Sequence, residues 1–264
     1  MLPKKEVKLS KRIKRIVLAV AIIALIIWSA TGIDFSGIKQ TAGQIVGAIV
    51  NGLLHPDWSY VYQGDGEDLV SQLFETLCIA FLGTFISAII SIPFAFWAAS
   101  ARRKSKIFSG SGKVVLTFIR TFPEIVLAIM FIKAVGPGAG AGVLALGFHS
   151  VGMLAMLFSE AIESLEDGPT EAVIAVGGSK WHTAMFATLP DLLPALISNT
   201  LYRFDVSIRS ASILGIVGAG GIGYPLTIAL QYRQWSRVGI ILLGIVVMVI
   251  LVDFISGMIR KRLV

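Results

Sequence analysis

The chain has 264 residues, 55% of them hydrophobic and only 15% charged, and 23 Lys plus Arg against 16 Asp plus Glu give a net charge of +7. With a mean hydropathy of +0.82, this excludes a soluble domain with an ordinary charged surface and predicts an all-α, polytopic integral membrane protein. The positive balance does not point to nucleic acid, because the cations gather in short segments beside apolar runs, where they set topology.

A helix needs roughly 20 apolar residues to cross a hydrocarbon core about 30 Å thick, and about six such spans follow one another. The first, about Ile16 to Ile33, is preceded by Lys4, Lys5, Lys8, Lys11, Arg12, Lys14 and Arg15. A basic start, an apolar run and the tripeptide Trp28 to Ala30 also have the outline of a cleaved signal peptide. The segment Asp34 to Asp68 is acidic, with Lys39 as its one cation, and Trp58, Tyr60 and Tyr62 suit a membrane interface or an amphipathic segment lying on it. Further spans are expected at about Phe74 to Ala99, Val114 to Val135, Gly142 to Ala161, Leu193 to Ile216 and Val238 to Ile259. The lone Cys78 falls in the second and can form no intrachain disulfide. Segments 1–15, 100–113 and 260–264 carry 7, 5 and 3 Lys plus Arg. All three fall on one side of the membrane, so the positive-inside rule places both termini in the cytoplasm.

Between the fourth and fifth spans, Glu160 to Asp191 is too polar to cross and reads as two short cytoplasmic helices. Pro169 and Thr170 suit a helix start, Glu171 suits a first turn, and Gly177-Gly178 would end that helix. Ser179 can cap the next, Trp181 and Met185 share a face, and Pro190 is expected to close it.

Two motifs mislead. Gly218, Gly220 and Gly223 spell G-x-G-x-x-G, but a dinucleotide site needs a preceding strand and an acidic residue about 20 positions later, where this chain has the apolar run Ile240 to Ile250. Ser109 to Val115 echoes a Walker A loop, yet Ile107 stands where its first glycine belongs and Val114 where its Ser or Thr belongs. Neither an NAD site nor a nucleotide site is expected. The glycines Gly218, Gly220, Gly221 and Gly223 are expected instead to make a tight turn toward the outer end of span five, by positive φ and close backbone approach. Such backbone is tolerated at membrane depth only inside protein or beside a wet cavity, so the turn is a candidate gate or a purely structural connection.

At the cytoplasmic segment the chain resembles the membrane-spanning subunits of type I ABC importers, whose signature is E-A-A-x-x-x-G and, nine residues on, I-x-L-P. Glu171, Ala172, Gly177, Leu189 and Pro190 match at full spacing, with Val173 and Ala187 as apolar replacements. Ile119 to Phe131 and Ile208 to Gly223 look like the phosphonate-uptake branch. The resemblance covers about Leu73 to Val264 and implies a core at 71–264, with coupling helices at about 160–191, behind a distinct segment 1–70. It further implies ATPase coupling through Glu171, Ala172, Gly177, Gly178, Leu189 and Pro190. The implied assembly is a permease homodimer with two ATPase subunits, which bind ATP and magnesium, and an extracytoplasmic binding protein. This chain itself would need no cofactor or metal, and would have membrane lipid but no nucleic acid as a partner.

Ionisable residues inside spans are costly in hydrocarbon and face protein or water. They include Glu75, Arg120, Glu124, His149, Arg203, Asp205 and Arg209. Helical spacing predicts the pairs Arg120–Glu124 and Asp205–Arg209, and Glu75 is a candidate partner for Arg203. Alternatively, Arg120, Arg203 and Arg209 line an anion path, since guanidinium matches a phosphonate or phosphate bidentately. His149 reads as a packed or hydrogen-bonded residue, and no metal-ligand spacing is present. The expected activity is transport of a phosphorus oxyanion rather than catalysis. A permease for another small solute, a secondary transporter or a channel is the alternative, though neither of the last two would need the cytoplasmic helices.

Overall fold

The computed structural model describes residues 9–31, 42–64, 66–100 and 106–263. Lys4, Lys5, Lys8, Asp34, Lys39, Asp65, Arg102, Arg103 and Lys104 lie outside them. The chain divides into two compact units, Met1–Ala48 and Ile49–Val264. The first contains α1 (Leu9–Thr31) and the start of α2 (Ala42–Leu54), and the apolar side chains of α1 from Ile16 to Trp28 are exposed.

The second unit holds α3 (Leu69–Ala98), α4 (Lys106–Thr121), α5 (Glu124–Val135), α6 (Ala139–Glu163), α7 (Gly168–Ala175), α8 (Lys180–Thr183), α9 (Leu189–Leu214), α10 (Gly223–Gln231) and α11 (Trp235–Leu263). By length and composition α3, α6 and α11 can each cross a membrane, while α4 and α5, bent by 77° at their junction, are long and apolar enough only when taken together. The 26-residue α9 is long enough, but Asp191, Arg203, Asp205 and Arg209 make it polar. Each expected span therefore corresponds to a helix, except that the third is broken. Pro123 is the reason: it has no N–H and keeps Phe122 out of the helical region, so the chain restarts at Glu124.

The core lies where α3, α5, α6 and α9 meet, around Ile79, Ala80, Leu127, Ala128, Ala145, Leu146, Ile208, Ala211 and Leu214. In a membrane, tight packing and hydrogen bonds rather than dehydration hold helices together, so small residues mark the contacts. A Cβ on Gly83 would lie 3.0 Å from the Leu146 Cβ, and one on Gly152 3.0 Å from the Ile119 side chain. Thr84 donates to Ser207 at 2.8 Å and Ser91 to the Val151 carbonyl at 3.2 Å. Interhelical bonds of this kind are worth about 0.6 kcal/mol on average.

Residues 57–64 and 66–68 lie against the amino end of α3. The buried Asp68 carboxylate accepts from Ser71 N–H at 2.9 Å and from the N–H groups of Gln63 and Gly64 at 3.1 Å each, capping α3 and pinning the preceding loop. Tyr60 donates to the Glu67 carbonyl at 2.8 Å, and Arg237 of α11 lies 3.9 Å above its ring. Burial raises the Tyr60 pKa. Hydrogen bonds from Ser71 first, then those from Gly64 and Gln63, hold the Asp68 carboxyl well below the ordinary carboxylate range. A folded pKa lowered in this way gives a stabilisation that is complete above the unfolded value, near 3.8, and lost as pH falls from there toward the folded value. Asp68→Asn is therefore expected to lower the melting temperature of the purified chain at pH 7 by several degrees, with the gap to wild type closing as the pH is taken below 4. A gap unchanged by acid would mean that the charge on Asp68 plays no part.

Candidate functional site

The glycine turn begins where α9 stops. Gly215–Val217 forms a tight three-residue turn, Gly218, Gly220 and Gly221 have φ of +94°, +83° and +72°, and α10 starts at Gly223. The expected positive φ holds at three of the four glycines. Gly223 is needed for the other reason, close approach, since a Cβ there would collide with the Ser212 carbonyl. Two long-range bonds hold the turn: Ile222 N–H donates to Thr76 Oγ1 of α3 at 2.8 Å, and Gly138 N–H, just before α6, donates to the Gly218 carbonyl at 2.9 Å. No described residue forms a β-strand, so the dinucleotide motif lacks its structural setting.

A cavity of about 330 Å³ opens on this turn, lined by Gln72, Glu75, Pro137, Gly138, Gly218, Gly220, Gly221 and Tyr224. Another of about 310 Å³ shares Gln72 and Tyr224 with it and adds Tyr60, Glu67, Pro225, Ile228 and Arg237. Together they form a mouth of mixed polar and apolar lining at the amino end of α3, floored by the glycine turn. A third cavity, about 340 Å³ between α3, α4, α5 and α6, is walled by Ile86, Ile90, Ile119, Phe131, Phe148 and other apolar residues, and offers a charged solute nothing to bind.

The ionisable residues pair differently from the expectation. Arg120 and Glu124 do not share a helix face, because the break at Pro123 separates them. Glu124 instead meets Arg203 of α9 at 2.6 Å and His149 of α6 at 3.4 Å. Arg203, only 2% exposed, also donates to Ser150 Oγ at 2.9 Å and contacts Met153 Sδ at 3.3 Å. His149 Nδ1 lies 3.1 Å from the Phe122 carbonyl, one of the carbonyls freed at the break, so it satisfies that group. Glu75 is thus not the partner of Arg203; it lines the mouth. Nor do Asp205 and Arg209 pair along α9. Asp205 binds Arg260 at 2.8 Å and Arg209 meets Asp253 at 3.5 Å, both from α11. Neighbouring helices outcompete helical spacing here because they bring opposite charges directly opposite each other. Arg120 ends α4, exposed, where a cation favours the helix dipole.

The polar segment between α6 and α9 forms short helices, as its residues imply. α7 starts with Pro169 in its first turn, and Gly177 ends it with φ +81°. Gly178 lies so close to Val173 that a Cβ would fall 2.6 Å from the Val173 carbonyl oxygen. Ser179 caps α8: its hydroxyl contacts His182 Nδ1 at 2.9 Å and its carbonyl accepts from Thr183 N–H at 2.9 Å. Pro190 does not close that helix. The wide turn Ala184–Thr188, with Leu189 N–H donating to the Ala184 carbonyl, absorbs the missing donor and the bulk of the ring, so the chain runs on into α9. Ile174, Val176, Trp181, Met185 and Phe186 are all exposed on this segment.

Residues 91–264 match the family described as binding-protein-dependent transport system inner membrane component. Over 193 residues the chain is 40% identical to the phosphite transport system permease protein PtxC of Stutzerimonas stutzeri, covering 73% of this chain and 70% of that protein. The chain belongs to this transport family. It is also 39% identical over 199 residues to the phosphate-import permease protein PhnE of Mycolicibacterium smegmatis, across 75% of this chain and 37% of that longer protein. A chain of the MetNI methionine ABC transporter, solved in inward-facing conformations, shares the fold with a TM-score of 0.65 at 20% identity, covering 77% of this chain and all of that one.

Membership makes the chain a multi-pass inner membrane transport subunit of the ABC importer class rather than an enzyme, working with ATPase and binding-protein partners. Sequence reasoning missed Gln72, Pro137, Gly138 and Tyr224 at the mouth and Thr76 beneath the glycine turn. Gly136-Pro137-Gly138 was a visible break signal, with positive φ at both glycines. Thr76 gave no signal, since an apolar helix hides which hydroxyl faces a neighbour.

Proposed function

We propose that this chain is the membrane-spanning subunit of an ATP-driven importer for a phosphorus oxyanion such as phosphonate or phosphite, delivered by an extracytoplasmic binding protein. The observation that carries the reading is the likeness to the phosphite permease across most of both chains. In this reading two copies of the chain enclose the passage, two ATPase subunits bind ATP and magnesium, and residues 71–264 make the transport core behind the distinct segment 1–70. Both termini are cytoplasmic. That orientation is supported by the grouping of cations at one end: Lys113 pairs with Glu163 at 2.8 Å, Ser100 N–H donates to Glu163 at 2.7 Å, and α11 ends in Arg260, Lys261 and Arg262.

The ATPase would dock on Glu171, Ala172, Gly177, Gly178, Leu189 and Pro190, beside the exposed Trp181 and Phe186. An exposed apolar patch on a polar segment is the ordinary mark of a protein contact. The glycine turn at Gly218, Gly220, Gly221 and Gly223 would act as the outer gate beneath the mouth. Arg203 would serve packing rather than the path, since its guanidinium is buried and occupied. Arg120 remains a candidate for biasing the path toward anions.

The test is uptake of radiolabelled phosphite by proteoliposomes containing the complex, with and without ATP inside and the binding protein outside. ATP-independent uptake would instead indicate a secondary transporter or channel. For the docking surface, Glu171→Lys and Gly177→Val are expected to reduce uptake at least tenfold at normal membrane levels. The first reverses a charge in an exposed first turn; the second forces a β-branched residue to φ +81°, at about 1–3 kcal/mol. Co-purification of the ATPase should fall in parallel, and wild-type uptake and co-purification in both variants would remove the docking assignment.

A further inference from the structure

Charged groups at membrane depth belong in protein or water. Arg203 at 2% exposed and Asp205 at 5% comply by burial. Arg209 and Asp253 do not, because their side chains are 48% and 50% exposed although they face each other across α9 and α11. Their depth is fixed by neighbours. Ser207, on the same helix as Arg209, accepts a bond from Thr84, midway along α3, at 2.8 Å, and Asp253 lies in α11, whose most apolar stretch of 18 residues has a mean hydropathy of 3.1, the highest among the crossing helices. Exposed Ile250, Leu251, Phe254 and Ile255 surround Asp253 along α11. The contact is also loose, at 3.5 Å against 2.6 Å for Arg203–Glu124 and 2.8 Å for Arg260–Asp205. A half-exposed, loosely held ion pair at mid-membrane depth needs a polar space beside it, and its guanidinium has N–H groups left to offer.

We propose that Arg209 borders the wet passage and is a transient contact for the transported oxyanion, with Asp253 as its displaceable counter-ion. Between cycles the carboxylate holds the guanidinium. A phosphorus oxyanion, with two or more oxygens on one tetrahedral centre, takes the planar fork of N–H groups bidentately and displaces Asp253, which pairs again when the cargo leaves. The assignment rests on the oxyanion reading given above.

The experiment uses the full complex in proteoliposomes with phosphite-loaded binding protein at saturation, and reads phosphite imported per ATP hydrolysed. Arg209→Gln is expected to lower this ratio at least fivefold and Arg209→Lys to recover part of it, while Asp253→Asn, which frees the arginine, stays at or above half the wild-type ratio. A merely structural pair predicts that both neutralisations fall alike and that the double variant recovers; that pattern overturns the proposal. In a Cys78→Ala chain, Arg209→Cys in the assembled complex should react with a membrane-impermeant cationic methanethiosulfonate reagent. A thiol that stays unreactive means lipid or another protein surface covers this face, and the proposal falls. If the wild-type complex imports none of phosphite, phosphate and methylphosphonate, the oxyanion reading itself fails, and the ligand assigned to Arg209 fails with it. If the wild type imports phosphite and Arg209→Gln does so at the full ratio, only the assignment to Arg209 is lost.

Discussion

Gly221→Val is expected to abolish uptake while leaving most of the complex assembled. A Cβ at this position would fall 2.5 Å from Thr76 Oγ1, the acceptor that receives Ile222 N–H at 2.8 Å. The substitution therefore meets two penalties at once. A β-branched residue at φ +72° costs about 1–3 kcal/mol, and overpacking a fitted contact costs about 1–3 kcal/mol more. The turn can escape only by moving away from α3, which breaks the bond that holds it against the mouth. If the turn gates the passage, ATP hydrolysis should then become less dependent on the binding protein. Gly140→Ala is the control, because a Cβ there meets nothing within 4 Å, and it should transport normally. Loss of uptake in both variants, or in neither, would separate the effect from this geometry.

Arg203→Gln should act first on stability. Removing the guanidinium takes away the 2.6 Å contact with Glu124 and leaves that carboxylate, 18% exposed, with a hydrogen bond from Ser210 and with His149 at 3.4 Å but no full positive charge beside it. Breaking one side of a buried pair costs about 3–5 kcal/mol, which lowers a melting temperature by on the order of 10 °C in a chain of this size. The purified complex should lose thermal stability before any change in transport per assembled complex is seen. Arg203→Met combined with Glu124→Gln, which removes both charges, should recover most of the loss, because the penalty comes from the stranded charge rather than from the missing pair. Wild-type thermal stability in Arg203→Gln would contradict a packing role and return this arginine to the passage.

The sites differ in how far they could be read without the fold. Positions that depend on backbone chemistry were legible: Gly177, Gly218, Gly220 and Gly221 all have positive φ, as short glycine runs beside helices imply. Pro123 was equally visible in the sequence, yet a continuous third span was expected, because the apolar count on both sides suffices for one crossing and hydropathy does not register a missing N–H. Pro190 misled in the opposite direction. A wide turn before it lets the helix continue, and that depends on the geometry of five preceding residues rather than on the proline.

Composition, apolar run length and the distribution of cations determined by themselves that this is an all-helical membrane protein with helices at the six expected places. The cost of exposing charge or backbone to hydrocarbon is large and local, and every window of sequence states it independently. The matched spacing from Glu171 to Pro190 marked the family for the same reason, being a short segment read along one stretch of chain. Only the tertiary structure decided which charge meets which. Arg203 with Glu124, Asp205 with Arg260, Arg209 with Asp253, and Thr76 beneath the glycine turn all join separate helices, so their pairing depends on helix rotation and depth. Those are set by the close packing of small residues such as Gly83, Gly142 and Gly152 across the whole bundle, and no single window of the sequence contains them.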